Sequence, residues 1–93
     1  MPTVKRQVTI TNSQGLHARP AMQFVDIANQ FRASVKVVKE APEAAEADGK
    51  SVMQMLVLAA SEGTRLTIEA VGDDAEQAVQ RLAELVQAKF GEE

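Results

Sequence analysis

At 93 residues the chain has room for one hydrophobic core, so residues 1–93 read as a single domain, and 45% apolar with 25% charged residues excludes a disordered or membrane-inserted chain. Thirteen acidic against ten basic residues leave a net charge of -3; with three Phe and no Trp or Tyr, both the positive field and the stacking surfaces of a nucleic-acid binder are missing. Zero cysteines exclude disulfides, a thiol nucleophile and a thiolate metal site, and no apolar run approaches the ~20 residues of a membrane span, so a cytoplasmic location without membrane insertion is the expectation.

From Val4 to Thr11 apolar and polar residues roughly alternate, with Val4, Val8 and Ile10 on one face, which predicts a first strand. Arg6 falls on the apolar side, near enough to the chain end for its long side chain to reach water. Asn12-Ser13-Gln14-Gly15 is a run of turn formers, and Pro20 suits the first turn of a helix beginning around His17 to Ala18. Ala21, Phe24, Val25, Ala28 and Phe31 then recur at helical spacing. Val35 and Val37 alternate with Ser34 and Lys36 in a second strand, and the segment 39 to 49, with Pro42 and Gly49, predicts a hairpin into a short third strand.

Ser51 followed by Gln54 has the capping-box pattern, so a short second helix runs from about Val52. Its residues Val52, Met53, Met55, Leu56, Val57 and Leu58 are apolar nearly all round, more than one core-facing stripe needs, and Met53 is the one read as exposed. After Ser61-Glu62-Gly63-Thr64, the alternation of Leu66, Ile68 and Ala70 with Thr67 and Glu69 predicts the last strand, which Gly72 ends. Asp73 with Glu76 makes a second capping pattern ahead of Ala75, Ala78, Val79, Leu82, Val86 and Phe90, a helical period that continues through Phe90. The order βαββαβα predicts an α+β fold: an open-faced two-layer sandwich of a four-stranded, mainly antiparallel sheet with three helices on one face.

The chemistry concentrates in Gly15-Leu16-His17-Ala18-Arg19-Pro20, which places the only histidine at the predicted start of a helix. Free backbone N–H groups and the positive end of the helix dipole attract an anion such as phosphate there, and together with Arg19 they disfavour imidazolium and leave a neutral, nucleophilic ring. The Arg19 guanidinium can also pair with phosphate oxygens through two parallel hydrogen bonds, and Gly15 permits a positive φ or the close approach of a partner. Taken alone, a lone histidine in this position is more often a cap or a surface residue.

Gly-Leu-His-Ala-Arg-Pro-Ala at 15 to 21, with Gly49-Lys50-Ser51-Val52-Met53 ahead of the short helix, resembles the HPr family, the histidine phosphocarriers of the bacterial phosphoenolpyruvate-dependent phosphotransferase system. The resemblance extends over essentially the whole chain, because the element order and the turns at Gly63-Thr64 and Gly72 also match. It implies that enzyme I phosphorylates His17 on Nδ1 and that an enzyme IIA domain receives the phosphoryl group. The chain then acts as a monomeric carrier through phosphohistidine rather than as a stand-alone enzyme, without cofactor or metal. Arg19 and the backbone amides of Ala18 and Arg19 would hold the phosphate. Ser51 would be the target of a regulatory HPr kinase, adding about -1.5 to -2 charge beside a helix start. Met53, with Met22 and Gln54, would dock partner proteins, where Met suits a surface that accepts several shapes.

Three departures from the family pattern stand out. The hairpin 39 to 49 is a few residues longer, and Gln30 and Ala59-Ala60 stand where many relatives carry Gly, which implies different turn geometry. Asp26, Asn29 and Gln54 also occupy a docking side where sugar-pathway relatives offer Lys, so the acceptor belongs to a sugar or a nitrogen branch. The competing reading is a regulatory docking module switched by Ser51 phosphorylation, for which His17 would be dispensable.

Overall fold

Alternation of apolar and polar side chains puts one face of each strand against helices and the other against water. The computed structural model, which describes residues 1–92, contains β1 (Thr3–Thr9), α1 (Ala18–Ala28), β2 (Ser34–Lys39), β3 (Ala45–Asp48), α2 (Val52–Val57), β4 (Arg65–Val71), α3 (Ala75–Gln87) and a final 3-10 turn, Lys89–Gly91. The four strands form one sheet in the order β1-β4-β2-β3, with every neighbouring pair antiparallel. The α+β, open-faced sandwich anticipated from the element order is therefore the fold.

Register aligns the core side chains across the sheet: Val8 opposite Leu66, Val37 opposite both Ile68 and Ala47, and Val35 opposite Ala70. Phe24, Ala28, Met55, Val79, Leu82 and Val86 pack onto that face, and each fully buried large side chain contributes about 1.5–3 kcal/mol of transfer free energy. The opposite face is polar. Lys5 and Lys36 flank Glu69 at 3.3 and 3.6 Å, and Glu46 lies 3.9 Å beyond Lys36, a row of exposed pairs that adds little stability. Arg6, opposite Ile68 in register, is exposed, its long stem carrying the charge to water.

Several sequence-based expectations need correction. Strand β1 ends at Thr9, and Ile10 continues by separate bonds, its N–H to Thr64 O and its C=O from Gly63 N–H. Phe31 lies outside α1: the helix tightens through Gln30 N–H to Ile27 O and Phe31 N–H to Ala28 O, and Phe31 is only half-buried. The residue preceding α3 is Asp74 rather than Asp73, and its carboxylate caps no helical N–H of its own. It accepts instead from Arg32 N and Ala33 N, both at 2.8 Å, tying the start of α3 to the chain entering β2. Phe90 is buried as its spacing implied, but α3 stops at Gln87 and Phe90 sits in the 3-10 turn at φ 56°.

The hairpin of segment 39 to 49 is present, with Lys39 opposite Ala45 and Lys36 opposite Asp48. Lys39 is buried at the end of β2, and its ammonium donates to Leu58 O, satisfying a carbonyl at the C-terminal end of α2. Ser51 caps α2, its Oγ accepting from Gln54 N at 3.2 Å. The box is not reciprocal, because Gln54 Oε1 accepts from Asp48 N at 2.8 Å while Ser51 N donates to Asp48 O.

Candidate functional site

The segment between β1 and α1 is braced within itself and against the chain that follows α2. Asn12 is fully buried, and its Nδ2 donates to Gly15 O at 2.7 Å. Gly15 adopts φ +70°, and a Cβ there would lie 2.5 Å from Ala60 O, so the close approach that glycine permits is to its own chain rather than to a partner. Leu16 is buried and donates its N–H to Ala60 O at 2.8 Å. The segment after α2 thus supports the loop that presents His17.

His17 is the N-cap of α1, with extended backbone (φ -86°, ψ -168°), and its C=O accepts the first helical bond from Ala21 N at 3.0 Å. Its side chain caps nothing, which leaves the ring free to engage other groups. In the first turn Pro20 has no N–H, and among the described residues no backbone acceptor pairs with the N–H of Ala18 or Arg19. Those two donors, the positive end of an 11-residue helix and the exposed Arg19 guanidinium form an open anion site beside a half-buried imidazole. An open cleft lined by Ser13, Gln14, His17, Ala18, Arg19 and Glu92 gives access to it.

One member of this cleft has no counterpart among the residues singled out by sequence. Glu92 Oε1 lies 2.8 Å from His17 Nε2 and accepts from Asn12 Nδ2 at 2.9 Å. Its carboxyl is held below the usual carboxylate range, first by the His17 hydrogen bond, against partial desolvation, and then by the Asn12 amide and the charges of His17 and Arg19. Asn12 appeared in the sequence only as a turn former, and nothing local marks Glu92, which stands 75 positions from the histidine it touches.

Residues 4–88 match the family model described as the PTS HPr component phosphorylation site. The chain belongs to the HPr family. It is 40% identical over 86 residues to the phosphocarrier protein HPr of Pseudomonas aeruginosa, covering 92% of this chain and 93% of that protein. It is also 37% identical over 91 residues to the phosphocarrier protein NPr of Proteus mirabilis, covering 98% and 99%. The structure of HPr-C-His from Thermoanaerobacter tengcongensis superposes with a TM-score of 0.89 at 38% identity, over 97% of this chain and 98% of that one. The chain is accordingly a phosphocarrier of the phosphotransferase system.

In this HPr-type fold α1 packs against α2, and the two helices leave Met22, Met53 and Val57 exposed, Met53 at 73% and Val57 at 78%. Sequence reasoning had singled out Met22 and Met53 but not Val57, whose exposure follows only from which side of α2 Met55 buries. Gln54 is exposed but committed through its side chain to Asp48 N. Ser51 is half-buried at the start of α2. Among the described residues no helix is long and apolar enough to cross a membrane.

Proposed function

We propose that His17 is the phosphoryl acceptor of this phosphocarrier, that enzyme I is the donor and that an enzyme IIA domain is the recipient. The observation that carries the reading is the placement of the chain's one imidazole at the N-cap of α1, beside the open N–H groups of Ala18 and Arg19. Phosphoryl transfer needs positioning and charge stabilisation more than covalent help from the carrier, and an exposed helix start offers both without burying a group that must leave again. Nδ1 accepts the phosphoryl group, the Ala18 and Arg19 amides bind its oxygens, and the Arg19 guanidinium neutralises charge during arrival and departure.

The exposed apolar strip of Met22, Met53 and Val57, bordered by Gln54, serves as the docking face for both protein partners of a monomeric, cytoplasmic carrier. Phosphorylation of Ser51 by an HPr kinase would place a dianion at the start of α2 in that strip and weaken docking by repulsion.

Incubation with phosphoenolpyruvate and enzyme I is expected to label the chain on an acid-labile, base-stable histidine, and an unlabelled wild type would overturn the proposal. His17→Ala is expected to abolish labelling at a stability cost of ~1 kcal/mol or less, since the ring caps no helical N–H. Arg19→Ala should retain labelling but slow it by roughly tenfold or more. A screen of enzyme IIA acceptors with the labelled protein assigns the sugar or the nitrogen branch. The alternative docking module, with His17 dispensable, would show growth on a phosphotransferase sugar supported by His17→Ala alone.

A further inference from the structure

The 3-10 turn after α3 is shaped to bring a carboxylate to the histidine. Lys89 and Phe90 are consecutive non-glycine residues at φ 57° and 56°, a conformation costing roughly 1–2 kcal/mol each, and Gly91 follows at φ 76°. Burial of Phe90, 3% exposed, offsets that cost and anchors the turn. The chain is thereby folded back so that the Glu92 side chain, 24% exposed, is gripped from two sides by the loop that carries His17: by His17 Nε2 at 2.8 Å and by the amide of the fully buried Asn12 at 2.9 Å. The same amide holds Gly15 O at 2.7 Å, so carboxylate, histidine loop and glycine turn form one bonded unit.

We propose that Glu92 is a positioning residue for phosphoryl transfer: its carboxylate keeps the proton of His17 on Nε2 and so reserves Nδ1 as the nucleophilic nitrogen. The inference rests on His17 being the acceptor. An ionised carboxylate only accepts hydrogen bonds, so the ring nitrogen facing it bears the hydrogen, and in a neutral imidazole the lone pair is then on the other nitrogen. During transfer the Nδ1 lone pair forms the N–P bond while the bond from phosphorus to the donor breaks, its electron pair leaving with the donor. Nε2 keeps its proton throughout. The phosphorylated ring carries a positive charge that the carboxylate stabilises, and it departs as neutral imidazole when the phosphoryl group moves on, which makes it a good leaving group.

Ring-nitrogen NMR in alkaline solution, where the imidazole is uncharged, and rapid-quench phosphorylation by phosphoenolpyruvate and enzyme I test this together. In the wild type the Nε2–H tautomer is expected to dominate. In Glu92→Ala the two tautomers mix, and kcat for phosphorylation of the carrier falls about tenfold while KM stays within about twofold, because only the chemical step loses a contact. Glu92→Gln, which keeps an acceptor oxygen but not the charge, falls between the two. A wild type that takes no label on His17 defeats the acceptor reading itself. A wild type that labels, with Glu92→Ala keeping either the wild-type tautomer ratio or the wild-type rate, or transferring faster, overturns the role of Glu92 alone.

Discussion

Gly15 shapes the site through what it lacks. At φ +70° with Ala60 O 2.5 Å and Ser61 Cα 2.9 Å from where a Cβ would be, it lets the histidine loop press against the segment after α2. Gly15→Ala meets both a left-handed backbone penalty and a clash with main chain that cannot rotate away, so a loss of about 2 kcal/mol or more is expected in urea denaturation. The same variant should accept phosphate more slowly, because the bond from Leu16 N to Ala60 O that locates His17 must shift; an unchanged midpoint and rate would show that the loop can slide freely. At this scale the sequence was informative wherever the chemistry is contiguous. His17, Arg19 and the helix start lie within six residues and carry their own signature. Asn12 and Glu92 do not: a buried asparagine reads as a turn former, and an acidic residue 80 positions away from it reads as solvated surface.

The helices and strands were legible as elements, and their ends were not. Periodicity continues through Phe90 because its side chain still faces the core after the backbone has left the helix, whereas Phe31, at the same spacing after α1, is only half-buried and outside the core. What stops α3 short of Phe90 is the left-handed backbone at Lys89 and Phe90, which side-chain spacing does not report. The turn after α2 shows the converse. Ala59, a residue that side-chain spacing does not mark, adopts φ 51° and is exposed. The backbone is left-handed there, and the alanine bears the strain. Ala59→Gly should therefore stabilise the protein by about 0.5–1 kcal/mol, the relief of strain being partly offset by a more flexible unfolded chain. Thermal unfolding checks it: a rise of about 2–8 °C is expected, and a fall would mean that the methyl group packs in a way its exposure does not suggest.

Across the whole molecule, two carboxylates join parts of the chain that are distant in sequence, Asp74 to Arg32 and Ala33, and Glu92 to Asn12 and His17. Both are held below the ordinary carboxylate range; for Asp74 the first cause is the Arg32 N–H, against desolvation, followed by the Ala33 N–H. A carboxylate whose folded value is depressed contributes stability that is present above its unfolded value and lost as pH falls through the folded one. Stability should thus be level near neutrality and decline below about pH 4, the unfolded carboxylate range. Asp74→Asn should be less stable than wild type at pH 7, and thermal melts should show that gap closing as the pH is lowered; a constant gap would assign the loss to packing. The sequence by itself determined the layers, the element order, the aliphatic core and the placing of the one histidine, with its cationic neighbour, at a helix start, because each is written in local spacing or in one short run. Only the tertiary structure decided which carboxylate meets the histidine, which asparagine holds it and which apolar residues of α2 stay in water. Those depend on where distant backbone segments come to rest, and a side chain's partner across 75 residues leaves no periodic trace.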